Sequence, residues 1–302
     1  ANEDILLMAK KLYDAGLIKT FIMSLQTLTE DALSLIKRDN MDINKYTYFA
    51  NRCKELDLPF DCELILGNPG ETVDSWKQTY ITLADFEQLS TQIFPLAILP
   101  GAEIASSESR QQHGIQTIER PFPGVGQADI PEKMEQIYAT NWLSNQDIKY
   151  LFEWTWCARL GHEFNFLRDY ANYLHRQNIC DKIEFYDRWH RFVSESVGST
   201  VTGQFDQVAR HRIADNIFGI PMQSMGHRET LSINKRDKMF EDIRRFVQQF
   251  DIDPLVNEQL VQYCDARLFN AQIEYPHTQT FDYNFLTDTQ ETVSIQFTPT
   301  LF

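Results

Sequence analysis

The chain has 302 residues, 43% hydrophobic and 24% charged, enough to bury a large core in one big domain or two of ordinary size. Its formal charge of −15 argues against non-specific binding to nucleic acid or to an anionic membrane, since both need clustered Lys and Arg. No apolar run reaches the length of a membrane span and no signal peptide opens the chain, so the expected compartment is the cytoplasm.

The first elements alternate. Residues 4–16 read as a helix, already under way as the chain opens, with Ile5, Met8, Leu12 and Ala15 on one face. Thr20–Leu25, "TFIMSL", reads as a buried strand. Thr27 with Glu30 three residues on has capping-box spacing and predicts a helix with Leu28, Ala32, Leu35 and Ile36 inward. A further helix carries Tyr46, Phe49, Ala50, Cys53 and Leu56 at i, i+3, i+4, i+7 spacing. The strand "CELILG" follows, then a helix with Trp76, Tyr80, Leu83 and Phe86, and "TQIFPLAILPG" supplies a third strand. This order predicts parallel βαβ units with right-handed crossovers. Three parallel strands with apolar edges are not a finished sheet, so the piece should close against further strands that this sequence does not contain.

The remainder, from Gln111, differs. Residues 114–131 are rich in Pro and Gly and read as a loop or linker. Beyond them come helical stretches crowded with aromatics, among them residues 205–219, "FDQVARHRIADNIFG". Trp154, Trp156, Trp189, Tyr170 and Tyr173 read as core. From Thr278 the tail turns to β-like alternation. The expected division is residues 1–110, a linker over 111–131, and a mainly helical domain over 132–302.

Catalytic sites of βα-built folds gather at the carboxyl ends of the strands. Three segments fall there: Gln26 in "SLQT", Glu63 with the exit loop Gly67–Thr72 in "ELILGNPGET", and Pro100 and Gly101 in "ILPGAEI". The glycines would let backbone groups approach a flat ligand closely. The exit loop lacks the Lys and the longer Gly spacing of a P-loop, and an N-cap at Thr72 explains it without any ligand. Cys53, Cys62, Cys157, Cys180 and Cys264 are dispersed, with no CxxC or CxxxCxxC, which fits a reducing compartment better than a disulfide framework. His162, His175, His190 and His211 are equally scattered, none three or four residues from another, so no metal site is expected.

Together "SLQTLTEDALSLIKRDN", "CELILGNPGETVDSW" and "IFPLAILPGAEI" resemble the second half of a radical S-adenosylmethionine (SAM) barrel. The resemblance covers about a hundred residues and is closest to the cobalamin-binding and coproporphyrinogen-oxidase-like groups. It implies the second half of a partial (β/α)6 TIM-type barrel, followed by a mostly helical region with a short β tail. It implies that Gln26 contacts SAM, that Arg38 pairs with the SAM carboxylate, that Glu63 holds the ribose hydroxyls, and that Gly67, Asn68, Pro69 and Gly70 lie beside the adenine. The cofactors implied are SAM, a [4Fe-4S] cluster that accepts one electron and cleaves SAM to a 5′-deoxyadenosyl radical, and cobalamin if the protein is a methyltransferase. The cluster loop CxxxCxxC is absent, so its ligands are expected upstream of Ala1 in a longer protein. The partners implied are a small-molecule or peptide substrate and an electron donor such as flavodoxin or ferredoxin. Two other classes remain: a non-catalytic SAM-binding or protein-interaction module without the cluster, and a helical scaffold that binds no SAM.

Overall fold

A computed structural model describes residues 3–39, 41–86, 90–121, 133–196, 203, 233–268 and 273–298. The predicted helical stretch 205–219, His211 within it, and residues 122–132 lie outside the described residues. The described residues divide into two compact units, those up to residue 152 and those from residue 153 on.

In the first unit, strands β1 (Phe21–Gln26), β2 (Phe60–Leu66) and β3 (Ser90–Pro95) form a parallel sheet in that order, as the alternation of elements predicts. The period of two along each strand sets Met23, Leu25, Cys62, Leu64, Leu66, Thr91 and Ile93 on one face, all buried. Helix α3 (Ile43–Glu55) buries Tyr46, Phe49, Ala50 and Cys53, with Tyr46 against Cys62 of β2. Helix α4 (Val73–Ala84) buries Trp76, Tyr80 and Leu83. The opposite face of the sheet is only partly covered: Ser24 is exposed, Glu63, Ile65 and Gln92 are half-buried, and Ile22 and Phe94 are 49% and 37% exposed. A parallel sheet ordinarily has both faces covered.

Three expectations are corrected. Helix α1 (Glu3–Asp14) turns Ile5, Met8 and Leu12 outward, at 46%, 57% and 36% exposure, and buries Leu6 and Ala9 instead. The third strand does not run on to Gly101. The Leu96 N–H donates to Leu66 O at 2.9 Å, while Leu96 O accepts from Ile137 N at 2.8 Å, so the chain changes sheets at this residue. Strand β4 (Ala97–Ile98) thus joins an antiparallel sheet with β5 (Gln116–Pro121) and β6 (Lys133–Ala139), in the order β4-β6-β5. Strand β5 also falls in the stretch whose composition reads as a loop; its pairing with β6 supplies the backbone partners that a loop would lack.

The second unit is mainly helical. Helix α6 (Asn145–Gly161) runs into it and is followed by α7 (Arg168–Arg176), α8 (Lys182–Glu195), α9 (Ile233–Val247) and α10 (Pro254–Ala266). The expected core aromatics are buried: Trp154, Trp189 and Tyr170 fully, Trp156 and Tyr173 to 7% exposure. Phe246 anchors the cluster, its ring 4.9 Å from Trp189 and 5.3 Å from Phe185, both edge-on. The buried indole N–H groups are paired: Trp154 donates to Asp187 at 2.6 Å and Trp189 to the Cys157 carbonyl at 3.1 Å. The tail is an antiparallel hairpin of β7 (His277–Phe281) and β8 (Val293–Phe297), as the alternation predicts. Its Phe281 and Phe297 pack on Tyr263 of α10.

Candidate functional site

A cavity of about 910 Å³ opens where the three parallel strands end. Gln26 closes β1, Asn68 and Pro69 follow β2, Leu96 follows β3, and each contributes to the wall. Helix α2 (Glu30–Leu35) and the turn after it add Lys37 and Arg38, and helix α5 (Ser107–His113) adds His113. Parallel strands deliver their exit loops to one end, which brings residues 26, 38 and 68 to one place.

Gln26 has φ 64°, left-handed for a non-glycine residue, at an irregularity in the β1–β2 register. The turn ends the strand abruptly and sets the half-buried side chain on the cavity wall. Arg38 Nη2 donates to the Ser24 carbonyl at 3.1 Å, and the Ser24 hydroxyl donates to the Glu63 carboxylate. Arg38 and Glu63 therefore meet through Ser24. Glu63 itself lies on the open face of the sheet, in register with Ser24, and does not line the cavity. The exposed Lys37 pairs with Glu103, whose carboxylate raises the Lys37 pKa.

Of the exit loop, Asn68 and Pro69 line the cavity and Gly67 and Gly70 do not. Both glycines hold positive φ, 100° and 86°. The space a side chain would fill belongs to the protein itself. A Cβ on Gly67 would come within 2.8 Å of Ile137 Cγ2, and one on Gly70 within 3.0 Å of the Ala32 nitrogen and the Asp31 carbonyl carbon. Chain-on-chain packing accounts for these glycines, where the sequence suggested ligand approach. Gly101, at φ 82°, has open space around it.

Sequence reasoning named Glu71 only as part of the exit loop, with no role of its own, and passed over His113. Glu71 has no exposed surface, and burial pushes its carboxyl up to about 8 against the hydrogen bonds from Thr27, Gly67 and Asn68. Thr27, expected to cap α2, gives its hydroxyl to Glu71 at 2.9 Å; the N-cap is Thr29, whose side chain makes no capping bond. The predicted cap at Thr72 does form, as a reciprocal capping box with Ser75. His113 is 6% exposed, lines the cavity, and its Nδ1 has no hydrogen-bond partner. A lone histidine far from the strand-end motifs carries no sequence signal of this.

The five cysteines are buried and free, and burial raises the Cys53 and Cys180 thiols to about 11. Among the described residues no group of three His, Cys, Asp or Glu side chains could hold a metal ion, so these residues do not fit the ligand set of an iron–sulfur cluster. His162 and His190 serve the interior of the second unit, His162 Nδ1 at 2.9 Å from the Tyr186 hydroxyl and His190 Nε2 at 3.7 Å from Glu153. Among the described residues no helix is long and apolar enough to cross a membrane.

No family model matches the chain. It is 24% identical over 194 residues to the cobalamin-dependent radical SAM methyltransferase TokK of Streptomyces tokunonensis, covering 62% of this chain and 28% of that protein. It is 23% identical over 197 residues to the 2-(S-pantetheinyl)-carbapenam-3-carboxylate methyltransferase of Streptantibioticus cattleyicolor, covering 64% of this chain and 29% of that protein. The chain thus spans less than a third of the length of these curated relatives. The likeness supports a distant relation to radical SAM methyltransferases and no finer assignment.

Proposed function

We propose that this chain holds SAM at the carboxyl ends of β1–β3 as part of a radical SAM enzyme, and that the whole protein is a cobalamin-dependent methyltransferase. The observation that carries the reading is the cavity, whose wall joins Gln26, Arg38, Asn68 and Pro69 from three separate segments. The relation to TokK points the same way. In this reading Arg38 binds the SAM carboxylate, Gln26 contacts the cofactor and Asn68 and Pro69 lie beside the adenine, while Glu63 reaches the site only through Ser24 and Gly67 and Gly70 shape the loop from behind the wall. The open sheet face and the outward apolar side of α1 support completion of a (β/α)6-type barrel by further βα units. The ligands of the cluster, the cobalamin site and the surfaces that meet the electron donor and the small-molecule or peptide substrate then lie in parts of the protein outside the described residues.

Titration of the full-length protein with SAM by calorimetry tests this. Arg38→Ala removes a charged hydrogen-bonding group, worth about 1.5–3 kcal/mol, so it should weaken SAM roughly 10- to 150-fold, and Glu63→Ala, which removes a side chain outside the cavity wall, should weaken it less. Wild-type affinity in Arg38→Ala removes Arg38 from the site, and a loss in Glu63→Ala as large as in Arg38→Ala would bring Glu63 into direct contact with the cofactor. A wild-type protein that binds no SAM overturns the reading.

A further inference from the structure

We propose that Glu71 is a positioning residue for the cavity, a buried latch that ties the exit of β1 to the exit loop of β2. The inference rests on reading the cavity as the SAM site. Glu71 Oε1 accepts from the Thr27 hydroxyl at 2.9 Å, and Oε2 accepts from the Gly67 N–H at 3.2 Å. The Asn68 N–H bonds to the same carboxyl group. Thr27 is fixed in turn, because its hydroxyl oxygen accepts from the Thr29 N–H at 3.1 Å and its proton is left for Glu71.

The chain neighbours of these contacts are cavity residues. Gln26 precedes Thr27, and Asn68 follows Gly67. The first joint is conformationally costly, since Gln26 sits at φ 64° without being glycine, and the second is a glycine at φ 100° whose freedom must be held in one place. Backbone held in sparsely populated regions persists only where the surroundings over-determine it. Here that constraint is one carboxyl group bonded to Thr27, the neighbour of Gln26, and to Gly67, with its own base fixed by the Thr72 cap of α4. Loss of the latch would let the cavity's two walls settle independently.

The chemistry separates a latch from a charge. In Glu71→Gln the amide can donate to Thr27 Oγ1 and its carbonyl can accept from Gly67 and Asn68, so the joints stay tied. Glu71→Ala strands the Thr27 hydroxyl and two backbone N–H groups in a buried site. The test measures SAM affinity by calorimetry and hydrogen–deuterium exchange over residues 26–29 and 67–71 in the full-length protein. Glu71→Ala should raise exchange in both segments and weaken SAM by about tenfold or more, and Glu71→Gln should restore both to within about threefold of wild type. Thr27→Val removes the bond to β1 alone and leaves those to Gly67 and Asn68, so it should raise exchange over residues 26–29 and weaken SAM, and it serves if Glu71→Ala does not fold. Wild-type exchange in either segment of the alanine variant overturns the latch. Raised exchange with unchanged SAM affinity overturns its role in positioning the cavity, and a glutamine variant as impaired as alanine overturns the hydrogen-bond account. If the wild type binds no SAM, the reading of the cavity fails, while the exchange comparison still decides the latch.

Discussion

Gly67 and Gly70 show how far a motif can be understood from its residues alone. The stretch "GNPGET" announces a tight strand-to-helix turn, and the turn is there. Its reason is not legible, because the atoms that exclude a side chain come from Ile137, seventy residues on, and from the first turn of α2. The same holds for Glu71: nothing in a local pattern says that its carboxyl group goes to Thr27 across two strands. Gly67→Ala should cost about 2–4 kcal/mol, combining left-handed strain with overpacking against the fully buried Ile137. Ile137→Ala removes the clashing methyl groups and leaves the strain. The double variant should therefore be less destabilised than the sum of the singles by about 1–3 kcal/mol, measured by urea denaturation. Simple additivity would place Ile137 outside the reason for the glycine.

Among the elements, those with several independent signals were readable. Helices α3 and α4 show helical spacing, α4 with a legible cap at Thr72, and β1, β2 and β3 are short, apolar and separated by helix lengths that enforce parallel crossover. Elements defined by a partner at a distance were not. The outward face of α1 depends on what surrounds the helix, the break between β3 and β4 depends on β6 competing for Leu96, and β5 hides in Pro-rich composition. The capping-box pattern at Thr27 and Glu30 illustrates the failure in one residue: the right residue type at the right spacing was taken by a buried tertiary bond. Two substitutions separate caps that act from caps that only look the part. Thr72→Ala loses the bond from the Ser75 N–H and should destabilise the first unit by about 1 kcal/mol. Thr29→Ala loses no capping bond, since its side chain makes none, and should stay within about 0.5 kcal/mol of wild type. Equal losses in thermal or urea unfolding would contradict this assignment of the caps.

For the whole molecule, 43 acidic against 28 basic residues make the response to pH a property of its carboxylates, and Glu3, Glu135 and Glu71 show two opposite cases. Glu3 and Glu135 lie at the surface with pKa values lowered by hydrogen bonds from Arg52 and Arg110, so their contribution is present above the usual carboxylate range and lost as pH falls. Glu71 is the opposite case. Burial raises it to about 8, and the groups that bear on it are the Thr27 hydroxyl and the Gly67 and Asn68 N–H groups, none of them charged. A carboxyl group raised in the folded state contributes stability that is fully present below its unfolded pKa, near 4.5, and is lost as pH rises through about 8. The thiols of Cys53 and Cys180, raised to about 11, stay protonated over that window and do not obscure it. The urea midpoint of the wild type should therefore fall as pH rises from about 4.5 to about 8 and level off above it. Glu71→Gln keeps the hydrogen bonds without the titration, so its midpoint should fall by less over the same range. General repulsion from the net charge acts on both proteins and cancels in the comparison. Parallel pH profiles for the two would mean that the Glu71 carboxyl does not titrate in this window, and the buried environment assigned to it would be wrong.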